Sequence, residues 1–259
     1  MKSRARAIRL RRRAAILFCW PVISAAATGS VSAAGCNFEL QGEGRVSDII
    51  DNRSFRLEDG REVRLAGVET VTAGAPLAAL IGRNVTLRGE TDIPDRWGRQ
   101  SAFVFVDQSD ASAQVLLLAE GKALVSGEVA DKGCAAELGA AETIARQARR
   151  GTWADTRVIK NAESAVDILA RIGQFTVVEG KVLSVRQAGA TFYVNFGRRW
   201  TRDFAVTISR RMMASLGSAG IVAKSLENRR IWIRGWVEQR TGPRIELLRV
   251  GQIEVIGEN

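Results

Sequence analysis

The stretch GEGRVSDIIDNRSFRLEDGREVRLAGV, residues 42–68, decides the fold. It reads as three strands, 42–50, 54–57 and 62–68. Asp51-Asn52 and Glu58-Asp59-Gly60 separate them, and these residue types favour tight turns because their side chains bond their own backbone or tolerate positive φ. Alternation in the third strand puts Val63 and Leu65 on one face and Glu62 and Arg64 on the other.

Working outward, residues 76–81 are expected to form a short apolar helix. Strands are expected at 84–87 and 102–106, flanking a polar loop at 91–100. Residues 113–123 carry apolar side chains at helical spacing. Residues 133–150, rich in Ala, Glu and Arg, make the clearest helix and stop at Gly151. Five strands with inserted and appended helices is an α+β, mainly β, barrel-like pattern. Residues 158–172 then read as a helical connector. Strands follow at 176–186, 191–196, 203–208, 230–239 and 244–255, with a helix near 210–216, the element order of a second small OB-like barrel. The expected organisation is a signal at 1–34, a first domain at 35–157, the connector at 158–172 and a second domain at 173–259. No short tandem repeat is visible.

Seven basic residues lie between Lys2 and Arg13 with no acid among them, an apolar run broken by Pro21 follows, and Ser32-Ala33-Ala34 closes the segment. That is the layout of a secretory signal, and the apolar run is short of the ~20 residues a membrane span needs. The expectation is an exported, periplasmic or secreted protein cleaved after Ala34, with no transmembrane segment left. The alternative is an uncleaved anchor. Without those residues the formal charge of +10 largely disappears. Residues 35–170 hold 16 basic and 21 acidic side chains, and residues 171–259 hold 15 and 7. A surface that attracts polyanions is therefore expected on the second half. Cys36 and Cys134 remain as an even pair in an oxidising compartment and read as a disulfide, the alternative being two buried thiols. The chain has no histidine, which excludes His-based triads and His-ligated zinc.

Asp51-Asn52-Arg53-Ser54-Phe55-Arg56-Leu57, Val63-Arg64-Leu65-Ala66-Gly67-Val68-Glu69-Thr70, Asp95-Arg96-Trp97-Gly98-Arg99, Gly121-Lys122-Ala123 and Gly151-Thr152-Trp153 follow one another along the chain. In this order and spacing they resemble the staphylococcal nuclease (thermonuclease) family over residues 42–153. The resemblance implies an OB barrel with helices and calcium-assisted phosphodiester hydrolysis. In such a site a hard cation sits among oxygen ligands and two arginines clamp the phosphate. Carried over, Arg64 and Arg99 are the clamp, and Asp51, Glu69 and Thr70 are what remains of the metal site. Arg53 stands where the family has a second metal-binding aspartate, and Thr72 where it has the water-activating glutamate. A guanidinium there removes a ligand and opposes a divalent cation. The resemblance thus implies an endonuclease with an incomplete active site, and Arg53 is a candidate third arginine of an anion site.

In the second half, Arg230, Trp232, Arg234 and Trp236 alternate with Ile231, Ile233, Gly235 and Val237. Interleaved arginine and tryptophan on one strand face suits single-stranded nucleic acid, through stacking and phosphate contacts. Arg198-Arg199-Trp200 and Arg202 add a basic loop. The same face could instead pack against the first domain. Two functions follow: a protein that binds or weakly cuts nucleic acid or another phosphorylated ligand, or a non-catalytic envelope protein using both barrels for protein contacts.

Overall fold

The computed structural model describes residues 35–36, 38–70 and 76–257; the signal reading and Thr72 lie outside them. In chain order the strands and helices are β1 (Glu39–Asp51), β2 (Ser54–Leu57), β3 (Glu62–Leu65), β4 (Val68–Glu69), β5 (Asn84–Gly89), β6 (Arg99–Val106), α1 (Ala113–Ala119), β7 (Leu124–Val125), α2 (Lys132–Gln147), β8 (Ile159–Asn161), α3 (Ala165–Leu169), β9 (Phe175–Lys181), β10 (Ser184–Ala188), β11 (Thr191–Asn195), β12 (Ala205–Ser209), α4 (Arg210–Ser218), β13 (Arg230–Gln239), β14 (Pro243–Leu247) and β15 (Ile253–Ile256). The protein is mixed α+β and mostly β, and residues 34–259 form one compact unit. No helix among the described residues is long and apolar enough to cross a membrane.

β1-β2-β3-β6-β5 close into a barrel, with β5 returning to β1. Its pairs are antiparallel except β3 with β6. The alternation read from the sequence is what fills it: Val63 and Leu65 join Phe55, Leu57 and Leu87 in the core, while Glu62 and Arg64 face outward. Each fully buried Leu or Phe contributes about 1.5–3 kcal/mol. The expected strand at 62–68 is cut in two because Gly67, at φ +75°, turns the chain, and β4 leaves to pair with β7. The expected helix at 76–81 is a single 3₁₀ turn, Ala78–Leu80.

The second sheet has eight strands, ordered β10-β11-β12-β14-β13-β9-β8, with β15 on the other part of β13. Its order repeats the barrel's. β9 and β10 together take the part of β1, β11 and β12 those of β2 and β3, and β12 meets β14 in parallel as β3 meets β6. The repeat extends to single residues. Buried Val46 donates to Arg83 O at 3.0 Å and accepts from Gly82 N at 2.8 Å; buried Val182 donates to Arg229 O and accepts from Asn228 N, both at 2.9 Å. Gly82 and Asn228 both have positive φ, and both loops start from a 3₁₀ turn ending in a buried leucine, Leu80 or Leu226.

Three expectations are corrected. The second barrel is a ring-like sheet in which the single expected strand 176–186 breaks at Val182-Leu183, because Val182 bonds toward β13 while Leu183 bonds to Asn195 of β11. The 158–172 connector is not chiefly helical. β8 adds to β9 in parallel, leaving α3 only five residues. The strand expected at 244–255 likewise divides into β14 and β15 around the turn Val250–Gln252.

Two motif glycines have a packing role. Gly121 and Gly151 lie at φ +70° and +53°, and a Cβ on Gly121 would fall 2.1 Å from Arg150 O, while one on Gly151 would fall 2.4 Å from Gly121 O. Thr152 N donates to Gly121 O at 2.8 Å, which seats the buried Trp153 on the end of the first half.

Cys36 and Cys134 are disulfide-bonded across 98 positions, tying the segment before β1 to the first turn of α2. A cross-link of that loop length stabilises by about 2–4 kcal/mol, mainly by restricting the unfolded chain. Cys36→Ser is therefore expected to lower the unfolding free energy by that amount in a urea titration. A reduced protein with an unchanged midpoint would refute this.

Candidate functional site

Arg53 occupies the two-residue turn between β1 and β2. Asp51 Oδ1 accepts from its backbone N at 2.8 Å, and its own carbonyl accepts from Leu65 N at 2.9 Å. The side chain then runs inward to β4, where it donates to Val68 O at 3.2 Å and forms an ion pair with Glu69. Both side chains are largely buried, 13% and 5% exposed. Glu69, where the resemblance places a metal ligand, thus faces a guanidinium. Burial raises its pKa to about 7, overcoming the opposing charge of Arg53, with Glu128 also raising it and Asp51 adding a smaller push. Among the described residues no cluster of three or more acidic, cysteine or histidine side chains could hold a metal ion. Thr70 is the last described residue before 71–75.

Arg64 lies mid-strand on β3, in register with Ser54 on one side and Ser101 on the other. Arg99 opens β6 opposite Glu62, on the neighbouring strand and the same outward face. It is charge-compensated: Asp95 Oδ2 accepts from its Nε at 3.0 Å and Nη2 at 2.8 Å. Asp95 Oδ1 accepts from the backbone N of Trp97 and Arg99, fixing the loop. The exposed Trp97 ring lies against both neighbours, with the Arg96 and Arg99 guanidinium carbons 3.9 and 4.9 Å from its centroid.

The expected binding face of β13 is divided by the structure. Trp232 stacks on Trp153 of the first half, centroids 6.5 Å apart and rings within 16° of parallel, with Arg146 of α2 over its ring at 4.6 Å. Its Nε1 donates to Glu179 Oε2 at 2.8 Å. Arg234 is buried and donates to both oxygens of Glu142 at 3.0 and 2.9 Å and to Val125 O at 3.0 Å. These two side chains are seam residues, so neither presents a surface for stacking or phosphate contact. The reason is that α2 and Trp153 cover this face of β13. Trp236 stays half-exposed, edge-on to Phe175, and Arg230 is exposed beside Glu179 at 3.3 Å.

A different face of the second sheet is open. A groove of about 870 Å³ runs over β10, β11, β12 and β14, between the loops after β11 and β13. Arg186, Arg198, Arg240 and Arg244 line it with Tyr193 and Trp200, and Asp203 is the one acidic residue of its lining. Trp200 is 72% exposed. Asp203 accepts from Arg199 N, and Glu238 meets Arg244 at 3.2 Å. Only Arg198 and Trp200 were singled out in the sequence. The signal for Tyr193 was its alternation with Phe192 and Val194, which face the core.

Compared with known proteins, the chain matches no family model and no curated protein.

Because Glu69 binds its proton more tightly folded than unfolded, the folded state takes up protons between its ordinary carboxylate range and about pH 7. Stability present below pH 4.5 is then lost as pH rises toward 7, by at most about 3 kcal/mol. Glu69→Gln is expected to flatten that slope in denaturant titrations at stepped pH. An identical slope in the variant would refute the assignment.

Proposed function

We propose that this chain is an exported, nuclease-like protein that holds single-stranded nucleic acid without calcium-dependent hydrolysis. On this reading both halves are OB-type barrels. The first is a staphylococcal-nuclease-like barrel whose metal site has been replaced by an ion pair, and the second carries the ligand. The observation that carries the reading is the groove over β10, β11, β12 and β14: four arginines and two aromatic side chains around a single aspartate. Guanidinium groups neutralise phosphates, and Tyr193 and Trp200 supply faces on which bases stack in any sequence. The site formed by Arg53 and Glu69 supports the loss of hydrolysis. Calcium in that position would have to displace a buried guanidinium already bonded to the carboxylate and to Val68 O. The excess of basic residues after residue 170 supports the direction of binding.

Fluorescence anisotropy with a short single-stranded oligonucleotide tests the groove. Tyr193→Ala and Trp200→Ala are each expected to weaken binding by about 1–3 kcal/mol, the worth of one stacked base. Arg186→Gln is expected to reduce the dependence of log K on log salt by about one unit. Wild-type affinity in all three variants would overturn the groove as the binding site.

A gain of function tests the replaced site. Arg53→Asp combined with Thr72→Glu is expected to produce calcium-dependent cleavage above the wild-type level. Arg53→Asp alone should bind metal with little rate, since a general base typically supplies a further factor of about 10²–10⁴. Wild-type protein cutting DNA at the double variant's rate would show the original site to be competent.

A further inference from the structure

Where the two halves meet, away from the groove, a second and smaller pocket of about 190 Å³ is lined by Arg157, Lys160, Arg171, Thr152, Thr176 and Asp155, over an apolar floor that includes Phe175. Its charges do not cancel. Arg157 is matched, donating to Asp155 at 3.0 and 3.2 Å. Asp155 in turn is held below the usual carboxylate range, chiefly by that Arg157 hydrogen bond, with Lys160 contributing in the same direction. Among the described residues, Lys160 and Arg171 have no ion pair or side-chain hydrogen bond, and Arg171 Nε is buried with no acceptor at all. A buried donor on a charged group loses its hydration without replacement, so an unmatched guanidinium N–H in a cavity wall is costly to keep. An anion in the pocket would answer the net positive charge that Lys160 and Arg171 leave in its lining.

The pocket's position adds to the argument. Thr152 belongs to the turn that ends the first half, Lys160 to β8, Arg171 to the turn after α3 and Thr176 to β9. Four separate pieces of chain thus meet around one small space, and three of them, through Thr152, Lys160 and Arg171, bring donors to it. β8 is held there by its parallel pairing with β9, Lys160 opposite Val178. We propose that this pocket binds a small tetrahedral oxyanion of the phosphate, sulfate or phosphomonoester class, with Arg171 and Lys160 as the principal ligands and the Thr152 hydroxyl as a further donor. Planar guanidinium and point-charge ammonium together suit such an anion, the first bidentate and the second non-directional. The bound anion joins the first half to the second sheet. The inference is independent of nucleic-acid binding in the groove.

The test uses the protein lacking only residues 1–34, titrated with inorganic phosphate at constant ionic strength and followed by calorimetry and thermal unfolding. The expected result is saturable binding and a Tm raised by about 5 °C or more at a hundred-fold excess over Kd. Phosphate and sulfate also stabilise proteins by exclusion from the surface, but that effect grows without saturation and is insensitive to single substitutions. Arg171→Gln is expected to weaken phosphate binding at least ten-fold. Lys160→Gln, a partly exposed position that folding tolerates, should weaken it several-fold. Tyr193→Ala in the groove should leave it unchanged. Parallel titrations with glycerol phosphate and a 5′-phosphorylated oligonucleotide distinguish a free ion from the end of a larger molecule. A rise in Tm that does not saturate, or wild-type phosphate affinity in Lys160→Gln and Arg171→Gln alike, overturns the proposal.

Discussion

Arg234 carries a positive charge from the middle of β13 into a buried seam, and Glu142 of α2 answers it with both carboxylate oxygens. The same Glu142 accepts from Val125 N at 2.8 Å while Arg234 donates to Val125 O at 3.0 Å, so β7 is gripped from both sides. Gln252 closes the arrangement by donating to Arg234 O. Around it Leu124, Ala145, Trp153, Phe175 and Val177 form an apolar cluster separate from the cores of the two halves. Removing one member of such a buried pair strands the other charge, at about 3–5 kcal/mol. The relation between the barrel and the second sheet depends on this contact.

The seam reaches the ion pair of Arg53 with Glu69 by a short covalent and hydrogen-bonded route. β7 pairs with β4, Val68 opposite Val125 and Glu69 opposite Leu124. Val68 and Glu69 are also the two residues that Arg53 engages. The guanidinium at position 53 therefore has a structural part in this route. It satisfies a buried carboxylate on the strand whose other edge is fixed by Arg234.

The two halves repeat one strand order but spend it differently. The first packs α1 and α2 onto its barrel and carries the acidic excess; the second keeps a long open face with basic loops at both ends. At the seam the pair Arg234–Glu142 runs between the halves, and the groove of the second sheet keeps an excess of positive charge facing solvent.

Alternation and turn chemistry in the sequence were enough for the strands of the first barrel, composition for α2, and the even cysteine count for the disulfide of Cys36 with Cys134. A barrel-like element order was legible in both halves, but their residue-by-residue likeness was not, because the equivalent positions share backbone roles rather than side chains: Gly82 and Asn228 both supply a positive φ, and Val46 and Val182 both bend a strand between two partners. Nor was the fate of β13. Its alternation correctly separated Ile231, Ile233 and Val237 from Trp232 and Arg234, since a strand's period of two assigns residues to faces. A period says nothing of what covers a face. Only the tertiary structure decided that Trp153 and α2 lie over Trp232 and Arg234, leaving Tyr193, Arg186 and Arg244 to line the open groove, because that choice rests on contacts between residues about a hundred positions apart.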